Sequence, residues 1–384
     1  MKISQIMFEY LRFSLMKTQI SNPLKSLEDQ TLKGLYVLSK KHDLGHLVAY
    51  GLEQNQAFNN STITNKFLYE RDMALFRHEQ INYELDCVCK TLEDAEIYHI
   101  PLKGAVIRKY YPEEWMRNSC DIDILVKEED LDKALFTLSK KLEYTYGKKG
   151  DHDVLLNAPS GVHIELHYQL ITPKTKKQEI PVLKRVWENT KPLEDSIYCR
   201  KMNDEYFYCY HISHIAKHLK WGGCGVRSVI DTWVLNNNIS FDKEKRNSLL
   251  NEAGLLKVAN AIENLAKCWM ENKPLSQDLQ LLSSYILSGG VYGTLENKVA
   301  ISQSKKGGCS YLFSRVFMPY GELKYKYPNL QKYPILYPFY TVKRWFSLLK
   351  KDKRAVATKE LNHSVKINSQ TQDQISNMLN SLDL

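Results

Sequence analysis

The sequence predicts an α+β fold, with a small stranded unit over roughly residues 96–170 set between helical regions. Three observations carry this reading. Apolar residues recur at helical spacing through the first hundred positions, short alternating runs surround Asp121 and Glu165, and helical periodicity returns from about 204 to 290.

In chain order, residues 24–56 place Leu24, Leu27, Leu32, Leu35 and Leu38 at helical spacing, with Gly45 and Gly51 near helix ends. Residues 64–95 read as one long amphipathic helix burying Leu68, Leu75, Ile81, Leu85, Val88 and Leu92, with Thr64 or Asn65 placed to cap it. The pattern changes near residue 96. Ile97 to Leu102 is short and partly β-branched, and it ends in Lys103-Gly104-Ala105 before a brief helical stretch. Asp121 to Val126 begins with strand alternation. Residues 128–141 form an amphipathic helix with acids in its first turn and lysines in its last, as the helix dipole favours. Strands at 153–157 and 162–168 flank a Pro159-Ser160-Gly161 turn. These shifts divide the chain into a helical region 1–95, a core 96–195, a second helical region 196–310, and an aromatic, basic segment with a flexible polar tail, 311–384.

The 384 residues are 43% apolar and 25% charged, which excludes a disordered chain. The net charge of +9 favours polyanions, acidic membrane faces and phosphate-rich substrates without selecting among them. Glu9 and Arg12 interrupt any secretory core near the N-terminus, and no uninterrupted apolar run is long enough to span a bilayer, so a cytoplasmic location is expected. The eight cysteines are scattered and read as reduced thiols. Cys87 and Cys89 form a C-x-C pair that no second pair completes as a zinc site.

Side chains at i and i+2 of a strand share a face, so Asp121 and Asp123 project together while Ile122 and Ile124 face the core. Two convergent carboxylates need a positive charge beside them. Such oxygen donors suit Mg²⁺, with Mn²⁺ the alternative, and two-metal chemistry at phosphorus uses sites of this kind. A lone D-x-D also describes a solvated strand face, but two neighbours strengthen the catalytic reading. The Lys103-Gly104-Ala105 turn offers backbone N–H groups to phosphate. The strand Val162–His167 puts His163, Glu165 and His167 on one face, making Glu165 a third carboxylate, as metal ligand or general base. His163 and His167 read as groups that orient carboxylates or line a polar cleft.

Taken together, Lys103-Gly104-Ala105, Arg117-x-Ser119-x-Asp121-Ile-Asp123-Ile-Leu-Val and His163-Ile-Glu165-Leu-His167 resemble the nucleotidyltransferase superfamily related to DNA polymerase beta. Within it the chain is most similar to a poorly characterised bacterial branch. The resemblance implies a small mixed-sheet core, with Asp121, Asp123 and Glu165 as the metal-binding and catalytic acids and Gly104 approaching nucleotide phosphates. It implies transfer of a nucleoside monophosphate from an NTP, ATP by default, with release of pyrophosphate. The hydroxyl-bearing acceptor could be a sugar, another small molecule, a protein or a nucleic acid. The superfamily turn is usually Gly-Gly or Gly-Ser. Here it is Gly104-Ala105 after Lys103, so Lys103, Arg117 or Ser119 is expected to make the phosphate contact that a serine would supply. The rival readings are a catalytically silent nucleotide-binding or scaffolding relative and a metal-dependent phosphohydrolase.

Three further features have more than one reading each. His211, His214 and His218 share a helix face and either bind metal, contact core backbone, or line the cleft and close over the nucleotide. Gly222 to Ser228 is a helix–helix turn, or an anion loop in which Arg227 grips phosphate. Residues 333–354 mix aromatics with lysine and arginine, suiting weak membrane-surface contact or packing of the aromatic side against the domain.

Overall fold

The computed structural model describes residues 2–18, 27–291, 293–306, 317–327, 329–348 and 369–384. Four helices open the chain: α1 (Ile3–Met16), α2 (Asp29–Lys41), α3 (Gly45–Gln54) and α4 (Thr62–Asp94). Leu24 lies outside the described residues. The inward stripe of α4 runs through Phe67, Ala74, Ile81, Val88 and Leu92. Leu75, expected inside, is 39% exposed, because steps of seven residues carry the stripe through Ala74 and leave its neighbour about 100° away. The helix also starts earlier than the expected cap. Thr64 lies within its first turn, where its hydroxyl donates to the Asn59 carbonyl at 2.7 Å.

The next hundred residues build the sheet. They form β1 (His99–Pro101), the short α5 (Gly104–Ile107), β2 (Asp121–Val126), α6 (Leu131–Leu142), β3 (Thr145–Lys149), β4 (Asp153–Asn157) and β5 (His163–His167). The strand order is β1-β2-β5-β4-β3, with β2 and β5 parallel and every other pair antiparallel. This is the mixed sheet the sequence implies, with one strand more. β3 has no apolar alternation to announce it, since all five of its residues are exposed at the sheet edge. One face of the sheet is covered. Ile122, Ile124, Ile164 and Leu166 pack against Ile81, Val88 and Leu92 of α4 and Leu131, Ala134 and Leu138 of α6. That burial fixes which face the intervening residues present.

Beyond the sheet come α7 (Glu179–Lys184), the two-stranded β6 (Thr190–Pro192) and β7 (Arg200–Met202), then α8 (Asp204–Leu219), α9 (Val226–Asn238), α10 (Lys243–Glu252) and α11 (Leu256–Met270). The helical run expected from 204 to 290 is therefore present, and it ends in α12 (Gln277–Gly289). By contact, residues 1–217, 225–279 and 383 make one compact unit, and residues 218–224, 280–382 and 384 a second.

The second unit contains α13 (Leu295–Lys306), α14 (Tyr320–Lys326), α15 (Asn329–Lys332), α16 (Tyr337–Leu348) and α17 (Ser369–Ser381). The tail was expected to be flexible, yet residues 369–381 form a helix. Met378 and Leu379 on α17, and Leu382 just after it, are buried and share one side at spacings of three and four residues. In the aromatic segment, Arg344 is buried and Lys343 exposed, while Ile335, Phe339 and Phe346 are exposed, so the apolar side chains are not uniformly packed inward. Lys350, Lys351, Lys353 and Arg354 lie outside the described residues. No helix among the described residues is long and apolar enough to cross a membrane.

Candidate active site

Register brings the acids together. In the parallel β2–β5 pair Asp123 lies opposite Glu165, Asp121 opposite His163 and Leu125 opposite His167. With Ile122 and Ile124 in the core, Asp121 and Asp123 share the uncovered face, as the alternation predicts. Asp123 is buried and Asp121 half-buried.

Lys103 completes the group from the end of β1. Its backbone takes φ 44° and ψ −114°, a region side chains rarely adopt and one that costs about 1–3 kcal/mol. The Leu102 N–H donates to the Asp123 carbonyl at 2.9 Å, tying this turn to β2. Lys103 Nζ then lies 2.5 Å from Asp123 Oδ1 and 3.8 Å from Glu165 Oε2. His167 Nε2 is 2.8 Å from the same Asp123 oxygen and 3.5 Å from Glu165 Oε2. The donor atoms of Asp123, Glu165 and His167 all lie within 4.8 Å of one another. His163 leaves the group: it is exposed, with Nδ1 2.8 Å from Asn157 Oδ1.

The charges are unevenly matched. Burial alone would raise the Asp123 carboxyl, but Lys103 and the His167 hydrogen bond win and hold it well below its usual range. Burial would likewise lower His167, and its hydrogen bonds to Asp123 and Glu165 reverse that, keeping the imidazole above its ordinary value. Asp121 forms no ion pair among the described residues. Burial, then the charges of Asp123 and Glu165, push its carboxyl up. Lys103 and Arg227 only partly offset this, so a cation added beside Asp121 would stabilise its charged form.

The Arg-x-Ser segment sits behind the turn. Arg117 Nη2 and Nε meet Asp231 Oδ2 and Oδ1 at 3.0 and 3.3 Å, and Nη1 reaches the Asn118 carbonyl at 3.2 Å. Tyr111 donates to the same Asp231 at 2.7 Å. Ser119 Oγ accepts from Arg108 Nη2 at 2.8 Å, and Arg108 Nε donates to the Gly104 carbonyl at 3.0 Å. Arg117 and Ser119, expected to contact phosphate, are buried and bonded within the protein behind the turn, as an interior guanidinium must have its charge paired. Gly104 is needed for this closeness, since a Cβ there would stand 2.9 Å from Arg117 Nη1 and 3.3 Å from Ser119 Oγ. Ala105 is also buried, with its N–H 3.2 Å from the Leu102 carbonyl, so it offers phosphate little. Arg227 pairs with Asp43 and donates to the Asn118 carbonyl at 3.0 Å. His211 is buried with Nε2 3.0 Å from Thr232 Oγ1, and burial lowers it to about 4, which suits a core imidazole.

A family model described as an uncharacterised nucleotidyltransferase matches residues 28–271, more than half of the chain. The chain belongs to this family. Neither curated proteins nor solved structures give a match. The matched span runs from just before α2 to the end of α11, so the helices on both sides of the sheet are part of what defines this nucleotidyltransferase.

Beside the acids the nucleotidyltransferase has a small, partly open pocket of about 30 Å³, lined by Lys103, His167, Thr172, Thr175, His214 and Lys217 among others. Lys217 was not singled out in the sequence, although it stands three residues after His214 and seven after Tyr210 and so shares their face of α8. Burial, with Lys103 and Lys174 adding to it, lowers Lys217 to about 8. The lysine is charged below that pH and neutral above it, so the cavity loses positive charge as pH rises. Binding of inorganic triphosphate, followed by calorimetry, should weaken up to about tenfold per pH unit above pH 8. Lys217→Met should bind more weakly at pH 7 and lose the step.

Proposed function

We propose that this enzyme transfers a nucleoside monophosphate from a nucleoside triphosphate, ATP by default, to a hydroxyl-bearing acceptor and releases pyrophosphate. The observation that carries the proposal is the convergence of Asp123, Glu165, His167 and Lys103 within a few ångströms, on the sheet face that Asp121 shares. An oxygen-rich donor set with a partly compensated carboxylate fits Mg²⁺, with Mn²⁺ the alternative, held by Asp121, Asp123 and Glu165. When bound, such an ion supplies charge neutralisation on the phosphates and eases displacement at phosphorus.

The protein's own groups do the rest. Lys103 turns from Asp123 to the phosphate oxygens, where a positioned cation stabilises developing charge. Gly104 lets the backbone approach them. His167 keeps its hydrogen bond and fixes the orientation of Asp123. Glu165, at the partly exposed rim, completes the metal site or, as the alternative, accepts the proton of the acceptor hydroxyl. Lys217, Thr172 and Thr175 give the triphosphate a polar cavity wall. The Lys103–Asp123 ion pair favours a second reading, a nucleotide binder whose acids are already satisfied.

Incubation with each NTP and Mg²⁺, reading pyrophosphate, inorganic phosphate and labelled-nucleotide transfer to small molecules, the protein itself and RNA, tests the proposal. Pyrophosphate release with transfer is the expected result. Inorganic phosphate alone would make the protein a phosphohydrolase, and nucleotide binding without either product would make it a silent relative.

A further inference from the structure

Cys89, one of the C-x-C cysteines, finds partners that sequence spacing does not reveal. Cys89 on α4, His99 at the start of β1 and Cys199 just before β7 bring two sulfurs and an imidazole nitrogen within 4.8 Å of one another. Neither thiol is in a disulfide. His99 is fully buried and Cys199 nearly so, whereas Cys89 is half-buried.

The histidine points to a ligand. His99 Nδ1 lies 2.9 Å from the Ile97 carbonyl, which can only accept, so Nδ1 carries the proton and Nε2 presents its lone pair. Nε2 is buried, has no nitrogen or oxygen partner among the described residues, and faces the two sulfurs. An orphaned buried acceptor of this kind is costly unless something binds it. A backbone carbonyl holding the far ring nitrogen is also the usual way a metal-binding imidazole is oriented.

The framework is fixed independently of any ligand. Glu93, one turn beyond Cys89 on α4, accepts hydrogen bonds from the backbone N–H groups of Ile197, Tyr198 and Cys199 at 2.8–3.1 Å and from Ser196 Oγ at 2.5 Å. Burial would raise the Glu93 carboxyl, but these donors win and hold it at about 2. The helix that carries one thiol therefore also anchors the loop that carries the other.

We propose that Cys89, His99 and Cys199 form a binding site for a thiophilic divalent cation, Zn²⁺ being the fitting choice, which ties α4, β1 and the loop before β7 together. Thiolate and imidazole are the donors zinc takes, and the half-buried side of Cys89 leaves a fourth position to water. Sulfurs bound at about 2.3 Å to a tetrahedral ion stand about 3.7 Å apart, so the donors need to draw in by only about 1 Å. Binding converts both thiols to thiolates and releases their protons.

Co²⁺ titration of the reduced, full-length protein tests this, because only sulfur ligation gives thiolate-to-cobalt charge-transfer absorption. The expected result is one equivalent with that band. It should be lost in Cys89→Ser/Cys199→Ser, weakened at least about tenfold in affinity in His99→Gln, and retained in Asp121→Asn/Asp123→Asn. Should the cysteine variant fail to fold, zinc-loaded wild-type protein should release one equivalent when a mercurial titrates its thiols. Absence of the band at saturating Co²⁺, its survival without both cysteines, or a Cys89–Cys199 disulfide in place of bound zinc would overturn the site. Loss of nucleotidyl transfer has no bearing on this readout, so failure of either proposal is seen separately.

Discussion

Asp121→Asn is expected to lower pyrophosphate release by about 10³-fold at saturating NTP, while its melting temperature stays level or rises. The catalytic loss follows from removing an anionic ligand from a site whose charge stabilisation is worth several kcal/mol. The stability result follows from the electrostatics. Burial, then Asp123 and Glu165, hold the Asp121 carboxyl above its ordinary value. The folded state thus binds that proton more tightly than the unfolded chain. The stabilisation it gives is present at low pH and lost as pH rises through the folded value, so at neutral pH the charge is unfavourable to folding. An asparagine removes it. Asp123→Asn should be equally inactive but less stable, since it deprives Lys103 and His167 of their shared partner. Initial rates and thermal melts of the two variants side by side check this. Activity surviving in Asp121→Asn would remove the acid pair from the mechanism.

The second large effect concerns folding. Asp231→Ala should cost about 3–5 kcal/mol in urea unfolding, because it leaves the buried Arg117 guanidinium unpaired and takes the acceptor from Tyr111. Adding Arg117→Met should recover much of the loss, since two apolar groups in place of a buried pair are often tolerated. The double variant should still show a lowered kcat/KM, as Gly104 would no longer rest against its guanidinium support. A single Asp231→Ala chain as stable as wild type would show the pair to be incidental.

What the sequence made legible follows from range. The β2 and β5 strands were readable because one face of each is buried, so apolar and polar residues alternate within a few positions. That same alternation puts Asp121 and Asp123 on one face of β2 and Glu165 on one face of β5, while the register that sets Asp123 opposite Glu165 is a tertiary fact. β3 left no such mark, because Thr145 to Lys149 contributes nothing to the core. The pairing of Arg117 and Ser119 is illegible for a different reason. Beside the acids they look like phosphate contacts, but Asp231 is 114 residues from Arg117 and nothing local announces the pairing. Cys89, His99 and Cys199 were illegible in the same way, since their spacing matches no compact metal motif. The polar tail was misread because Met378, Leu379 and Leu382 form too short a stripe to stand out in composition alone.

The hairpin that joins β4 to β5 closes through Ala158 and Val162, whose backbones bond at 2.9 Å, and it fixes Leu155 opposite Glu165. A single residue gained or lost there would rotate β5 by one step, sending Glu165 into the apolar layer and turning Ile164 or Leu166 outward. Length changes at the solvated β3 margin would leave that alignment intact. Among descendants of this chain, indels between positions 158 and 162 should therefore mark lineages that have retired from chemistry, whereas indels around 143–150 should accumulate neutrally.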